Sequence, residues 1–259
     1  MAKVRWWAAI GWSVVLTVAP PLTATASVDH TAWDRLLRRH VDAGLVDYAG
    51  LREEQEMLAR YLASLEDVDP EQVASRAEQL AFWINAYNAC VLKGVLNRYP
   101  LKSVKEIQGF FNKDRYIISN EHLTLDEIER KAHDLGDFRS HFAVVCASKG
   151  CPPLRAEAYV PERLDAQLDD QARLFLSDHT RGTKLEGQTL WLSKIFKWAK
   201  RDFIKSKLPP WVVPDAEIVP AIMPYLDTQT SAAIRGKRLL IKFLDYDWSL
   251  NVQRSSPDR

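Results

Sequence analysis

Ala81-Phe-Trp-Ile-Asn-Ala-Tyr-Asn-Ala-Cys-Val-Leu92 decides the fold. The stretch is apolar nearly all round, and a helix without a polar face must be covered on every side. It sits within the longest helical pattern of the chain, predicted from about Arg76 to Arg98 and stopped by Tyr99-Pro100. The rest of the chain is therefore expected to pack around it. Asn85 and Asn88 interrupt the apolar run three residues apart, which puts them on one face. A buried amide without partners costs about 1–3 kcal/mol, so both need hydrogen bonds. Two roles stand open: bridging to neighbouring backbone, or lining a site in which amides orient an imidazole or stabilise an oxyanion.

Working outward, Trp33, Leu36, Leu37, His40 and Val41 recur at helical spacing up to Gly44, and a second helix is predicted from about Leu51 to Leu65. Asp69-Pro70 opens another helical region. Arg115-Tyr-Ile-Ile-Ser119 and His122-Leu-Thr124 read as a hairpin around Asn120-Glu121. Thr124 followed by Glu127 is a capping box. Phe138 to Cys146 is expected to be a strand. A helix follows from about Pro161 to Ser177, with proline in its first turn. Thr183 to Leu192 forms a second hairpin turning at Gly187, and Ser193 caps a helix through Ile204. Shorter helices are expected over 214–226 and 231–236, then a last strand from Leu239 to Leu244. The fold class is α+β: a helix-rich single domain packed around a small, mainly antiparallel β-sheet. No Gly/Ser-rich linker, repeat or low-complexity tract divides residues 27–259, with the core expected from about 32 to 251 and a polar tail beyond.

Chemistry concentrates in His141-Phe-Ala-Val-Val-Cys-Ala-Ser-Lys-Gly-Cys-Pro-Pro-Leu154, which carries an imidazole and two of the three cysteines. Such side chains serve nucleophilic catalysis and metal binding. Cys146 and Cys151, separated by Ala-Ser-Lys-Gly, can close a disulfide that adds roughly 2 kcal/mol by the chain-entropy model. Alternatively Cys151 or Cys146 is a nucleophile and His141 its base. Placed in a regular strand, His141 and Cys146 would point to opposite faces, so that pair needs a bulge. Glu127, on the capped helix just before, is a candidate carboxylate partner for His141, although capping alone accounts for it. A zinc site is disfavoured: four residues between thiolates is wide for zinc, and a fourth ligand is missing. No phosphate-cradling glycine loop, Gly-x-Ser-x-Gly elbow or His-Glu-x-x-His pair is present, and no cofactor is implied. Cys90 reads as a small buried hydrophobe. Trp191 and Trp198 read as core rather than ligand platform, and Trp211 as partly exposed.

The N-terminus sets the expected compartment. Lys3 and Arg5 precede an apolar run from Trp6 to Val18, broken by Pro20-Pro21 and followed by Ala24-Thr-Ala26. Positive, apolar and small, in that order, is a secretory signal peptide. Its run of about thirteen apolar residues falls short of the roughly 20 that span a bilayer. An uncleaved anchor is the alternative. Cleavage after residue 26 removes two of 35 basic residues and none of the 34 acidic ones, leaving a charge of −1. That balance argues against a nucleic-acid partner. The expectation is a periplasmic or secreted chain with no membrane span after cleavage.

Six motifs carry a family resemblance: Val46-Asp-Tyr-Ala-Gly-Leu51, Ala81-Phe-Trp-Ile-Asn-Ala-Tyr-Asn-Ala89, Leu123-Thr-Leu-Asp-Glu-Ile-Glu129, the His141–Leu154 segment, Leu192-Ser-Lys-Ile-Phe-Lys-Trp198 and Tyr246-Asp-Trp-Ser-Leu-Asn251. The chain resembles the domain of unknown function 547 (DUF547) family, exported bacterial type. The resemblance supplies no activity. Two positions depart from the family pattern: Arg130 stands where a histidine is usual, and Cys90 replaces another small or apolar residue. Two functions compete. One is an exported binding or scaffold module, stapled by Cys146–Cys151, for a small molecule or an envelope protein. The other is a papain- or transglutaminase-like hydrolase or transferase using a cysteine and His141, oriented by Glu127 or Asn85. Thiol–disulfide exchange would use the same cysteines, but their spacing is not Cys-x-x-Cys.

Overall fold

The computed structural model describes residues 28–72 and 75–253. The predicted signal segment, residues 1–26, and the tail from 254 lie outside the described residues. The chain opens with α1 (Thr31–His40), the short strands β1 (Val41–Asp42) and β2 (Leu45–Val46), α2 (Tyr48–Glu53) and α3 (Gln55–Ala63). The single helix expected over 51–65 is thus two, because Asp47 caps α2 from its side chain and the backbone breaks at Glu54. Glu54 turns its carboxylate to Arg39 and His40.

The central helix is α4 (Arg76–Leu96), N-capped by Ser75. Every residue from Leu80 to Leu92 is buried, as its all-round apolarity requires. It packs against α3 and against α5 (Leu125–Asp134). Before α5 comes the hairpin β3 (Tyr116–Ile118) and β4 (Glu121–Leu123). The Thr124–Glu127 capping box is formed.

The strand expected over 138–146 is absent, and this is the main correction to the sequence reading. Ser140–Ala143 is a single helical turn, α6. Asp137 drives it: its carboxylate accepts the Arg139 N–H and holds the Arg139 guanidinium, while its carbonyl accepts the Ser140 N–H and hydroxyl. The apolar residues that follow have no strand partner; the Asn88 side chain takes its place, donating to the Ala143 carbonyl at 2.9 Å and accepting from Val145 N–H at 2.9 Å.

Next come α7 (Leu164–Ser177), the hairpin β5 (Thr183–Glu186) and β6 (Thr189–Leu192), α8 (Ile195–Trp198), α9 (Lys200–Phe203), α10 (Val219–Ile222), α11 (Thr228–Ile234) and β7 (Leu240–Phe243). The helix expected over 193–204 is therefore split at Ala199. β7 pairs parallel to β6 in an otherwise antiparallel set of small sheets, so the helix-rich α+β class holds. Two apolar clusters form the core. One surrounds α4; the other joins α7, β6 and the helices after it. They meet at α6, where Phe142 enters the second cluster and Ala143 the first. Among the described residues no helix is long and apolar enough to cross a membrane.

Residues 246–253 then strap the molecule together. Val252 bridges to Val46, Ser249 to Ser103 and Leu250 to Ser148. Asn251 receives the Tyr48 hydroxyl at 2.8 Å.

Candidate functional site

At the seam between the two clusters opens a cleft of about 350 Å³ lined by His141, Cys146, Cys151 and side chains from five other segments. That volume falls within the range of small-molecule pockets. The two sulfurs are joined as a disulfide across a loop whose Cα atoms are 6.2 Å apart, within the usual span. The loop is tightly held. Ala147 sits at φ 61°, a left-handed conformation that costs a non-glycine residue about 1–3 kcal/mol. Its carbonyl is fixed by the Asn251 N–H at 3.1 Å. Gly150 is required by proximity: a Cβ there would lie 2.9 Å from the Asp247 nitrogen.

Tyr246 lies over the disulfide. Its hydroxyl donates to the Cys151 sulfur at 3.1 Å, stands 3.1 Å from the Cys146 sulfur, and accepts from the Ser148 hydroxyl at 3.2 Å. Burial pushes its phenol up to about 12, so it stays a neutral donor. The Cys146 N–H also points to the Cys151 sulfur.

His141 is buried and held by Asp202, with Nε2 2.7 Å from a carboxylate oxygen. Its ring lies against that of His133, centroids 3.7 Å apart and tilted by 32°. Burial pulls the imidazole below its usual pKa and nearby His133 adds to this, outweighing the Asp202 hydrogen bond. At neutral pH His141 is thus a neutral imidazole donating from Nε2, which leaves Nδ1 as its acceptor. The same hydrogen bond lowers the Asp202 carboxyl. His133 is fixed in turn by the Ser140 hydroxyl at 2.7 Å and Glu129 at 3.3 Å.

Glu127 is not the partner of His141. Its carboxylate takes the Thr124 N–H and hydroxyl and pairs with Arg115, and the Thr124 backbone bond is the chief reason its pKa is lowered. Asn85 and Asn88 are fully engaged with backbone. Asn85 donates to the Tyr159 carbonyl and accepts the Tyr159 N–H; Asn88 clamps residues 143–145, as above. The bridging role fits both, and α4 faces the cleft with Tyr87 instead. Cys90 is a buried free cysteine in the core. Trp211 is exposed, and so is Trp198, at 56%, against the expectation of a core residue.

Sequence reasoning missed Asp202, His133, Glu129 and the aromatic wall of Trp198, Tyr246 and Trp248. Glu129 and His133, four apart on α5, carry a readable spacing. Asp202 lies 61 residues from His141 and has none. Among the described residues no group of three or more His, Cys, Asp or Glu side chains could hold a metal.

Residues 71–176 match the family model described as Protein of unknown function, DUF547, which covers α4 through α7 and supports the family. No curated protein and no solved structure matches the chain.

Proposed function

Starting from the match of residues 71–176 to the DUF547 family model, we propose that this chain is an exported binding module of the cell envelope. Its ligand, a small molecule or a protruding group of an envelope protein, enters the cleft beside the Cys146–Cys151 disulfide. One observation carries the reading: the disulfide, the His141–Asp202 pair and three aromatic rings converge on a single cleft of ligand size. Sulfurs bonded to each other cannot attack a carbonyl, because the nucleophile is a thiolate. The disulfide instead holds the loop that forms one wall. Export rests on the charged, apolar and small-residue order of residues 1–26, and an oxidising compartment keeps such a bond closed.

The second reading is thiol-dependent acyl transfer in the reduced protein. The neutral, carboxylate-held imidazole favours it, since a general base must be unprotonated at working pH. After reduction by an external dithiol, a cysteine would pass its proton to His141 as its sulfur attacks an acyl carbon. The proton then goes to the departing amine or alcohol.

Thiol titration of the native protein, paired with N-terminal sequencing, tests both readings. The module reading expects a chain beginning at Ser27, no reactive thiol before reductant, and one more, Cys90, on denaturation. A reduced pair in protein taken directly from the envelope, with acyl-transfer activity abolished by alkylation, would replace it with the second reading.

A further inference from the structure

The charge and surface of the cleft say more about the ligand than its volume does. The lining holds two carboxylates, Asp126 and Glu129, both from α5, and neither lysine nor arginine. Among the described residues the Glu129 carboxylate bonds only to the His133 ring. The Asp126 carboxylate makes no hydrogen bond or ion pair with a described residue; burial, with the charge of Glu129 next, holds its carboxyl above the usual value. Arg130, one turn further along α5, offsets this only in part, so the two negative groups in the cleft lack a bonded lysine or arginine among the described residues. The other wall is aromatic: Trp198, Tyr246 and Trp248 pack with ring centroids 4.6–6.0 Å apart. Ring faces attract cations, and Trp248 already holds one, the Lys105 ammonium at 4.5 Å. Lys105 does not line the cleft, so the exposed indole of Trp198 and the Tyr246 ring are left to a ligand. A third, independent feature is Tyr87. It is 2% exposed, lines the cleft, and its hydroxyl has no partner among the described residues. A hydroxyl that opens onto a cavity with no protein partner is free to bond water or whatever displaces it there.

Resting on the binding-module reading, we infer that the cleft takes an ammonium group, primary or quaternary, between the Trp198–Tyr246–Trp248 wall and the Asp126 and Glu129 carboxylates. Methyl or methylene groups of the cation lie on the rings. The carboxylates supply the charge, and the Tyr87 oxygen can accept a hydrogen bond from an N–H. The volume admits a choline-sized head or the end of one lysine side chain, not a folded surface.

The test titrates the oxidised protein with four probes, followed by tryptophan fluorescence and indole N–H shifts. The probes are choline, Nα-acetyl-lysine amide, the neutral alcohol in which carbon replaces the choline nitrogen, and pivalate as an anion. At least one cation should bind roughly tenfold tighter than the neutral isostere, as cation–π contact and charge together allow. Raising the salt concentration should shrink that preference. Asp126→Asn, at an exposed position, should reduce the preference several-fold while leaving the fold intact. Trp198→Ala should weaken cation binding while the far-ultraviolet circular dichroism spectrum stays that of the wild type, the lost ring contacts lowering the unfolding midpoint only modestly. Choline binding above the lysine derivative assigns a quaternary head; the reverse order assigns a polypeptide side chain. If the neutral isostere or pivalate binds as well as either cation, the ammonium inference falls and the binding module stands. If none of the four binds at up to about 100 mM, both fall.

Discussion

Asn88→Ala isolates the clamp on which the cleft depends. The Asn88 side chain satisfies two backbone groups, the Ala143 carbonyl and the Val145 N–H, each at 2.9 Å and all within the buried core. Alanine leaves both orphaned. Each orphan costs about 1–3 kcal/mol, so the pair costs about 2–6 kcal/mol, less the few tenths that alanine gains over asparagine within a helix. A net loss of about 4 kcal/mol is expected. With a urea dependence of about 3 kcal/mol per molar, the midpoint should fall by more than 1 M. Urea unfolding followed by far-ultraviolet circular dichroism and tryptophan fluorescence measures it. Asn97→Ala is the control: Asn97 is exposed just past the same helix, and its loss should stay within about 0.5 kcal/mol. Asn88→Asp refines the argument, because its protonated acid restores a donor and an acceptor of nearly the same shape. Its deficit relative to wild type should therefore narrow as the pH falls. A loss below about 1 kcal/mol for Asn88→Ala would mean that water or a shifted loop satisfies residues 143–145, and that Asn88 does not hold the cleft.

Replacing both Cys146 and Cys151 with alanine should cost about 2 kcal/mol, the loop-closure value for so short a loop; reductant should destabilise wild type similarly and leave the double variant unchanged in a thermal melt. His30, buried against the Tyr61 hydroxyl at 2.8 Å, has its pKa lowered by burial from 6.5 to about 4. Since the unfolded chain takes up that proton first, the stability His30 confers is complete above pH 6.5 and is lost as the pH falls toward 4, about 3 kcal/mol in all. His30→Phe should flatten this part of the stability–pH curve, and parallel curves for the two proteins would refute the assignment. Asp202→Asn removes the group that raises the pKa of His141, so the imidazole resonance should titrate at lower pH than in wild type; an upward shift would show that Asp202 does not hold the ring.

The central helix was legible in the sequence because a helix apolar on every face has only one place to go. The two hairpins were legible from their turns, and the capping box from Thr124 and Glu127 alone. Residues 138–146 were misread for a definite reason. A short apolar run with two valines has the same local pattern in a buried strand as in a helical turn. What decides between them is the Asp137 cap on one side and Asn88, some 55 residues earlier, on the other. The cysteine pair could be read because its two members share one loop. The carboxylate beside His141 could not, since folding alone brings Asp202 from 61 residues away; the nearer Glu127 is committed to its own helix end. The aromatic wall was hidden for a similar reason. Tyr246 and Trp248 belong to a quoted motif, but only the strap places them against Trp198.

That strap also orders events in time. A ribosome delivers the N-terminal half of the molecule long before residues 246–253, yet β2 waits for Val252, the 147–150 loop for Asp247 through Asn251, and Trp198 for its two ring neighbours. Contacts joining residues some 200 apart close last and slowly, since the intervening chain must first be gathered in. An incomplete product stopped before Tyr246 would carry His141, Asp202 and both cysteines but no finished cleft. The finished cleft is thus a property of a chain synthesised through the strap, and a nascent or clipped form that stops short of Tyr246 lacks its aromatic wall.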